Sequence, residues 1–178
     1  MKYHNAYIGL DSRKIMLLKR VPKDWPKLIL AIAICQAAGV VGAIFTSPSI
    51  GTWYTSLVKP SFVPPNWLFT PVWLTLYTLM GISLFLVIRK KATRDRFQAA
   101  IMTFNAQLIL NVVWSYMFFG LRAISAGLVT IIALWAAITL TISAFSHISK
   151  TASKLLIPYL AWVSIALVLN YYLWLLNA

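Results

Sequence analysis

Residues 124–145 read ISAGLVTIIALWAAITLTISAF, a stretch of 22 positions without a charged side chain. An α-helix needs about 20 predominantly apolar residues to cross the hydrocarbon core of a bilayer. The stretch is too long for a membrane strand and does not alternate apolar and polar residues with a period of two. It therefore predicts a membrane-spanning helix.

Four further apolar runs of similar length extend this prediction to the rest of the chain. Of the 178 residues, 61% are apolar and 11% are charged, which leaves too few polar side chains to cover a water-soluble domain. The predicted fold class is an all-α membrane protein with a five-helix transmembrane bundle at 28–178 and a basic extension at 1–27. The spans are predicted near 28–45, 67–88, 97–119, 124–145 and 155–176. Because the last three junctions are short, consecutive helices are expected to be antiparallel neighbours.

The positive charges alternate from one junction to the next. Fourteen of the sixteen Lys and Arg residues lie in the extension and in the second and fourth junctions, and only Lys59 and Arg122 lie on the opposite side. The positive-inside rule then predicts a cytoplasmic N-terminus and an outside C-terminus, in a bacterial-type cell membrane. This sidedness accounts for the net charge of +13 without nucleic acid. Membrane lipids are the expected partners of the basic extension.

Scarcity of acidic residues restricts the chemistry. The acidic side chains are Asp11, Asp24 and Asp95, all outside the apolar runs, and Cys35 is the single cysteine. Paired-carboxylate catalysis, an intramembrane carboxylate relay and a cysteine zinc site therefore lack their usual residues. No metal site and no required cofactor are predicted.

The junction at residues 46–66 is long enough to suggest a function. Thr52 is expected to cap a short helical turn that continues to Lys59. The backbone is stiffened by three prolines, Pro60, Pro64 and Pro65. Apolar surface is supplied by three aromatic residues, Trp53, Tyr54 and Phe62. We expect an ordered lid loop between helices 1 and 2, over the outside mouth of the bundle.

Polar and aromatic residues share one face on two of the predicted helices. Spacings of three and four place six residues together on the third span: Phe104, Gln107, Asn111, Trp114, Ser115 and Phe118. The fifth span repeats the pattern with Tyr159, Trp162, Ala166, Asn170 and Trp174, and the second brings Trp73 and Tyr77. Two interpretations remain open: a stripe of interhelical hydrogen bonds, or the wall of a ligand pocket.

Three ordered segments carry a resemblance to a known family. The first contains TWY at 52–54, LVKPSFVPP at 57–65 and FTPVW at 69–73; the second is LNVVWSYMFFG at 110–120. The third contains LLIPYLAW at 155–162 and LNY at 169–171. Over residues 46–177 the chain resembles the tryptophan-rich sensory protein / translocator protein (TspO/MBR) family, once called peripheral benzodiazepine receptors.

The resemblance implies a five-helix bundle, commonly a homodimer, with a cavity beneath the first loop for porphyrins, haem-pathway intermediates and other flat hydrophobic ligands. It implies seven ligand-binding positions: Tyr54, Pro64, Trp73, Asn111, Trp114, Trp162 and Ala166. Trp73 and Trp162 match tryptophans associated with light-dependent porphyrin breakdown. No Lys or Arg follows Tyr171 and Tyr172, unlike the sterol-recognition stretch of animal members, which argues against cholesterol handling.

Three functions remain open from the sequence. The leading hypothesis is a membrane receptor or carrier for tetrapyrroles with a sensory, regulatory or transport role, which requires no catalysis. The second is photo-oxidative porphyrin degradation that uses Trp73 and Trp162 as candidate redox side chains. The third is a ligand-regulated membrane scaffold.

Overall fold

The computed structural model describes residues 24–177, and most of the predicted basic extension lies outside them. The elements in chain order are α1 (Trp25–Ile50), α2 (Trp53–Ser56), α3 (Asn66–Ile88), α4 (Arg94–Ser115), α5 (Ile124–Ser146), α6 (Lys150–Leu155) and α7 (Ile157–Asn177). A π-helical turn at Tyr116–Gly120 continues α4.

Within the described part of the chain, five stretches are long and apolar enough to cross a bilayer: α1, α3, α4 with its π-helical turn, α5, and α6 with α7. The prediction of an all-α, five-span integral membrane protein is therefore confirmed. The last span is divided after Leu155 because Pro158 has no amide hydrogen to donate, and in a continuous helix its ring would clash with the carbonyl group one turn earlier.

The first helix is longer than predicted, since it continues to Ile50 instead of ending near residue 45. Its last turns contain polar groups that find partners inside the protein. Thr46 donates a hydrogen bond to the Gly42 carbonyl at 3.0 Å, and Ser49 donates to the Phe119 carbonyl at 2.8 Å. The helix can therefore continue past the end of its apolar run.

The predicted turn through Lys59 is shorter than expected. α2 ends at Ser56, and Leu57 is extended with a ψ of 144°. Thr52 makes no capping hydrogen bond to α2, so that prediction is wrong. Its hydroxyl instead donates to the Pro48 carbonyl of α1 at 2.8 Å.

The order of the helices around the bundle differs from their order in the chain. α1 packs against both α3 and α4, α4 packs against α5, and α5 packs against α7. α3 and α4 are not a main packing pair, although only residues 89–93 join them. Five residues reach roughly 17 Å when extended, at about 3.3–3.6 Å each, which is enough to pass the end of α1. The sequence-based expectation that a short connection makes consecutive helices packing neighbours is therefore wrong for α3 and α4.

Small residues allow α1 to approach its neighbours closely. A Cβ atom on Gly81 of α3 would lie 2.5 Å from the Cα of Ile32, and one on Gly39 of α1 would lie 2.5 Å from the Tyr77 ring. Cys35 and Ala31, one and two turns before Gly39 on α1, are buried. Such close backbone contacts provide the packing that holds helices together in lipid.

Gly81→Ala should destabilise the bundle, because the added methyl group meets the backbone of Ile32, which cannot move aside as a side chain does. We expect a loss of about 1–3 kcal/mol, the usual cost of overpacking. Thermal unfolding in mild detergent, followed by circular dichroism, measures the effect. Gly51→Ala is the matched control, since a Cβ atom there meets nothing within 4 Å. Equal melting temperatures for the two variants would contradict the close approach of α1 and α3.

Candidate ligand-binding site

A cavity of about 230 Å³ lies between α1, α3 and α4. α2 and the last turn of α1 lie at one end of it, through Tyr54, Thr46, Ser47 and Ile50. Its rim includes Val40 of α1 and Leu74 of α3, which are 64% and 54% exposed. The cavity therefore faces the lipid side between α1 and α3 as well as the bundle interior.

Four of the seven predicted ligand-binding residues line this cavity: Tyr54, Trp73, Asn111 and Trp114. The structure brings them together from α2, α3 and α4. Trp162 and Ala166 do not line it; both are half-buried on α7 and pack against the hydrophobic core. Pro64 also lies outside the cavity, half-buried just before α3.

A single aromatic side chain separates Trp162 from the cavity. The Phe69 ring lines the cavity and meets the Trp162 ring edge-on at 5.9 Å between ring centroids. α3 packs against α6 at the start of the last span and is not a main packing partner of α7. Aromatic side chains fill the space between α3 and α7 at this level.

Asn111 connects three helices at the inner side of the cavity. Its Oδ1 accepts a hydrogen bond from the Tyr77 hydroxyl of α3 at 2.5 Å, and its Nδ2 donates to the Tyr159 hydroxyl of α7 at 2.8 Å. All three residues are buried. In a bilayer such groups need partners inside the protein, so this Asn111 bridge fixes the three side chains relative to one another.

The bridge positions a set of flat aromatic surfaces, which we call the aromatic wall: Trp73, Tyr77 and Trp114. Trp73 stacks on Tyr77 with ring centroids 5.5 Å apart and planes 29° apart. Trp114 lies 6.4 Å from Trp73, and its indole N–H donates to the Oδ1 of Asn170 at 3.3 Å. Aromatic rings in such arrangements attract other flat π-systems by offset or edge contacts.

The Tyr54 side chain lines the cavity, and its hydroxyl is buried without a hydrogen-bond partner among the described residues. Burial raises the pKa of this hydroxyl above its usual value. The group therefore stays protonated and can donate a hydrogen bond. A buried donor without a partner carries an energetic cost, which a ligand with an acceptor atom would relieve.

The sequence interpretation of the helix faces is partly confirmed. All six residues of the predicted inward face of the third span are buried in the bundle. The sequence interpretation missed the contribution of α1 to the cavity, which is lined on that side by residues that include Gln36, Gly39 and Gly42. The sequence signal for this contribution was Gln36, a polar residue within an apolar run. In the structure its amide donates hydrogen bonds to the Leu74 carbonyl and the Thr78 hydroxyl of α3, both at 3.0 Å.

Among residues 24–177, the side chains that line the cavity include no Asp, Glu, Lys, Arg or His. Within residues 24–177 no cluster of three His, Cys, Asp or Glu residues could hold a metal ion. The arrangement can therefore bind by stacking and by a few hydrogen bonds, and it offers no acid–base pair among the residues described here.

Comparison with known proteins agrees with this architecture. The model of the TspO/MBR family matches residues 31–175. The chain is 48% identical over 152 residues to the tryptophan-rich protein TspO of Archaeoglobus fulgidus, covering 85% of this chain and 97% of that protein. It is 45% identical over 150 residues to the protein of the same name from Chlorobaculum tepidum, covering 84% and 95%.

More distant relatives include the human translocator protein, which is 36% identical over 135 residues, or 75% of this chain and 80% of that protein. The family match covers nearly all of the bundle, and the motifs of the α1–α3 junction, α4 and α7 all lie within it. This five-span integral membrane protein belongs to the TspO/MBR family.

Proposed function

We propose that the protein is a membrane receptor or carrier for porphyrins and related flat hydrophobic ligands, which bind in the cavity between α1, α3 and α4. The observation that carries the proposal is the aromatic wall, which the Asn111 bridge holds at the side of an apolar cavity. A tetrapyrrole is a large flat π-system, and stacking on tryptophan and tyrosine rings favours its binding.

Rigidity supports the same function. The Tyr77 and Tyr159 hydroxyl groups both bond to Asn111, and Trp73 packs on both tyrosine rings, at 5.5 and 6.3 Å between centroids. A wall that is already ordered loses little side-chain entropy when the ligand arrives. Asn111 thus acts mainly by positioning the rings, although its amide retains capacity for a further hydrogen bond.

The size of the cavity requires a local rearrangement. Its volume of about 230 Å³ is below the roughly 300–1,000 Å³ typical of pockets for drug-sized ligands. Movement of the Phe69 side chain away from Trp162 would extend the cavity toward Trp162 and Ala166. The ligand would then contact Trp162 and Ala166, the two α7 residues that the family resemblance implies. The macrocycle would extend from α4 to α7 along the aromatic wall.

Polar recognition at the cavity end is assigned to Tyr54. Its buried hydroxyl could donate a hydrogen bond to a carboxylate or carbonyl oxygen of the ligand. Porphyrins of the haem pathway carry such carboxylates at their edge. The macrocycle would then lie against the tryptophans, with its polar edge directed toward α2.

Trp73→Ala should weaken protoporphyrin binding about tenfold, which corresponds to roughly 1.4 kcal/mol, because the variant loses the central ring of the wall. Titration of purified protein in detergent, followed by the porphyrin Soret band, gives the affinity. Trp67→Ala is the matched control, since Trp67 is on the same helix but is 72% exposed and away from the cavity. Equal affinities for the two variants, with both folded, would reject the proposed site.

Light-dependent porphyrin degradation is a second candidate function, favoured by the ring contacts of Trp73. This side chain lies at the cavity and within 6.4 Å of Tyr77, Trp114 and Tyr159, measured between ring centroids. Dioxygen would be the oxidant, light absorbed by the porphyrin would supply the energy, and Trp73 would be an electron donor in contact with the ligand. Trp162 would contribute less, since Phe69 lies between it and the cavity.

Under illumination in air, we therefore expect Trp73→Phe to slow the loss of the Soret band severalfold and Trp162→Phe to slow it less. Trp67→Phe should leave the rate unchanged, and a dark sample should show no loss. Decay at the wild-type rate in both the Trp73 and Trp162 variants would remove the degradation hypothesis while leaving the binding proposal intact.

A further inference from the structure

The segment between α1 and α3, residues 51–65, is hydrogen-bonded to the far helix α7 through one asparagine. The backbone N–H of Val58 donates to the Oδ1 of Asn177 at 2.9 Å, and the Nδ2 of Asn177 donates to the Val58 carbonyl at 2.9 Å. The amide thus satisfies both backbone groups of a residue in an extended part of the chain. We call residues 51–65 the α1–α3 segment, and we call the two hydrogen bonds between Val58 and Asn177 the Asn177 clasp.

The clasp is well supported on the α7 side. Nδ2 of Asn177 also donates to the carbonyl of Leu173, one turn earlier, at 2.9 Å, and Leu173 is fully buried. This third bond fixes the orientation of the amide. Beside it, the ring of Phe62 meets Tyr172 of α7 edge-on at 5.4 Å between centroids. The α1–α3 segment therefore rests on the end of α7 at two adjacent points.

Lys59, the residue after Val58, contacts the turn that bears Tyr54. Its ammonium group donates to the Thr55 carbonyl at 3.1 Å and to the Leu57 carbonyl at 3.3 Å, and it lies 4.9 Å from the centroid of the Tyr54 ring. These bonds join residues 54–59 into one unit. Tyr54 lines the cavity and packs against the rings of Phe118 and Phe119, so the clasp at Val58 is a second restraint on the turn that bears Tyr54.

We propose that Asn177 is a positioning residue that holds the α1–α3 segment against α7 and so sets the rate at which the cavity exchanges its ligand. The inference rests on the proposed function for the identity of the ligand. The cavity is too small for a macrocycle in this conformation, and the segment covers the end at which α2 lies. Release of the clasp lets the segment and Tyr54 move away together, while the Asn111 bridge keeps the aromatic wall in place.

Asn177→Ala should raise both the association and the dissociation rate constants of protoporphyrin about tenfold, with a smaller change in affinity. Stopped-flow fluorescence on protein in nanodiscs measures both constants. Asn177→Asp keeps the shape and the acceptor but loses both donated bonds, so it should also accelerate exchange. Asn105→Ala is the matched control, because Asn105 is an exposed asparagine of α4 without a side-chain hydrogen bond to any described residue.

A second measurement reports on the segment without any porphyrin. Ser115 is buried at the cavity, and Cys35, the native cysteine, is fully buried. In a Cys35→Ala background, the thiol of Ser115→Cys should react with a water-soluble maleimide several times faster when Asn177→Ala is added. Adding Asn105→Ala should leave that rate unchanged.

The two measurements separate the two proposals. Faster labelling without any porphyrin binding would support the clasp and reject the proposed function. Normal porphyrin binding with unchanged labelling and exchange in both Asn177 variants would overturn the clasp alone. Faster exchange with unchanged labelling would also overturn it, since the ligand would then leave by a route that does not involve the segment. A lower melting temperature with unchanged rates would reduce Asn177 to a structural role.

Discussion

Two hydrogen bonds of the Asn111 amide, one accepted and one donated, organise the interior of this bundle. They join Tyr77 of α3 to Tyr159 of α7 across α4, in a region where water is not available to replace a lost partner. Because Trp73 packs on both tyrosines, the position of the aromatic wall follows from this bridge. The bridge and the close approach of α1 to α3 at Gly81 are complementary: one fixes the side chains of the cavity, and the other fixes the backbone around it.

The cavity combines a rigid side and a side that can move. Its rigid side is the aromatic wall on α3 and α4, which is bonded to α7 through Tyr159 and Asn170. Its mobile side would be the α1–α3 segment, which bears Tyr54 and touches α7 through the Asn177 clasp and the Phe62–Tyr172 contact. This division suits a receptor or carrier, in which a preformed surface recognises the ligand and a weaker contact sets how quickly it is admitted.

The length and spacing of the apolar runs were sufficient to predict the five spans, since the bilayer thickness fixes the length of a helix that crosses it. Helical periodicity likewise placed Gln107, Asn111 and Trp114 on an inward face. The end of α1 was not predictable from hydropathy, because Thr46, Ser47 and Ser49 interrupt the apolar run, and partners for Thr46 and Ser49 appear only in the folded bundle. Small residues four apart on α1 indicate that another helix approaches it closely, but no local pattern shows that α3 makes this contact at Gly81 or that α1 lies between α3 and α4. For the same reason, periodicity put Trp162 on an inward face but could not reveal that Phe69 separates it from the cavity.

The most direct test of the account is a structure of the protein with protoporphyrin bound in a lipid environment. The account predicts the macrocycle between α1, α3 and α4 in van der Waals contact with Trp73 and Trp114, the Phe69 ring turned away from the cavity, and the Asn111 bridge unchanged. A porphyrin bound on the lipid-facing surface of the helices, with the cavity still closed and Phe69 against Trp162, would contradict it.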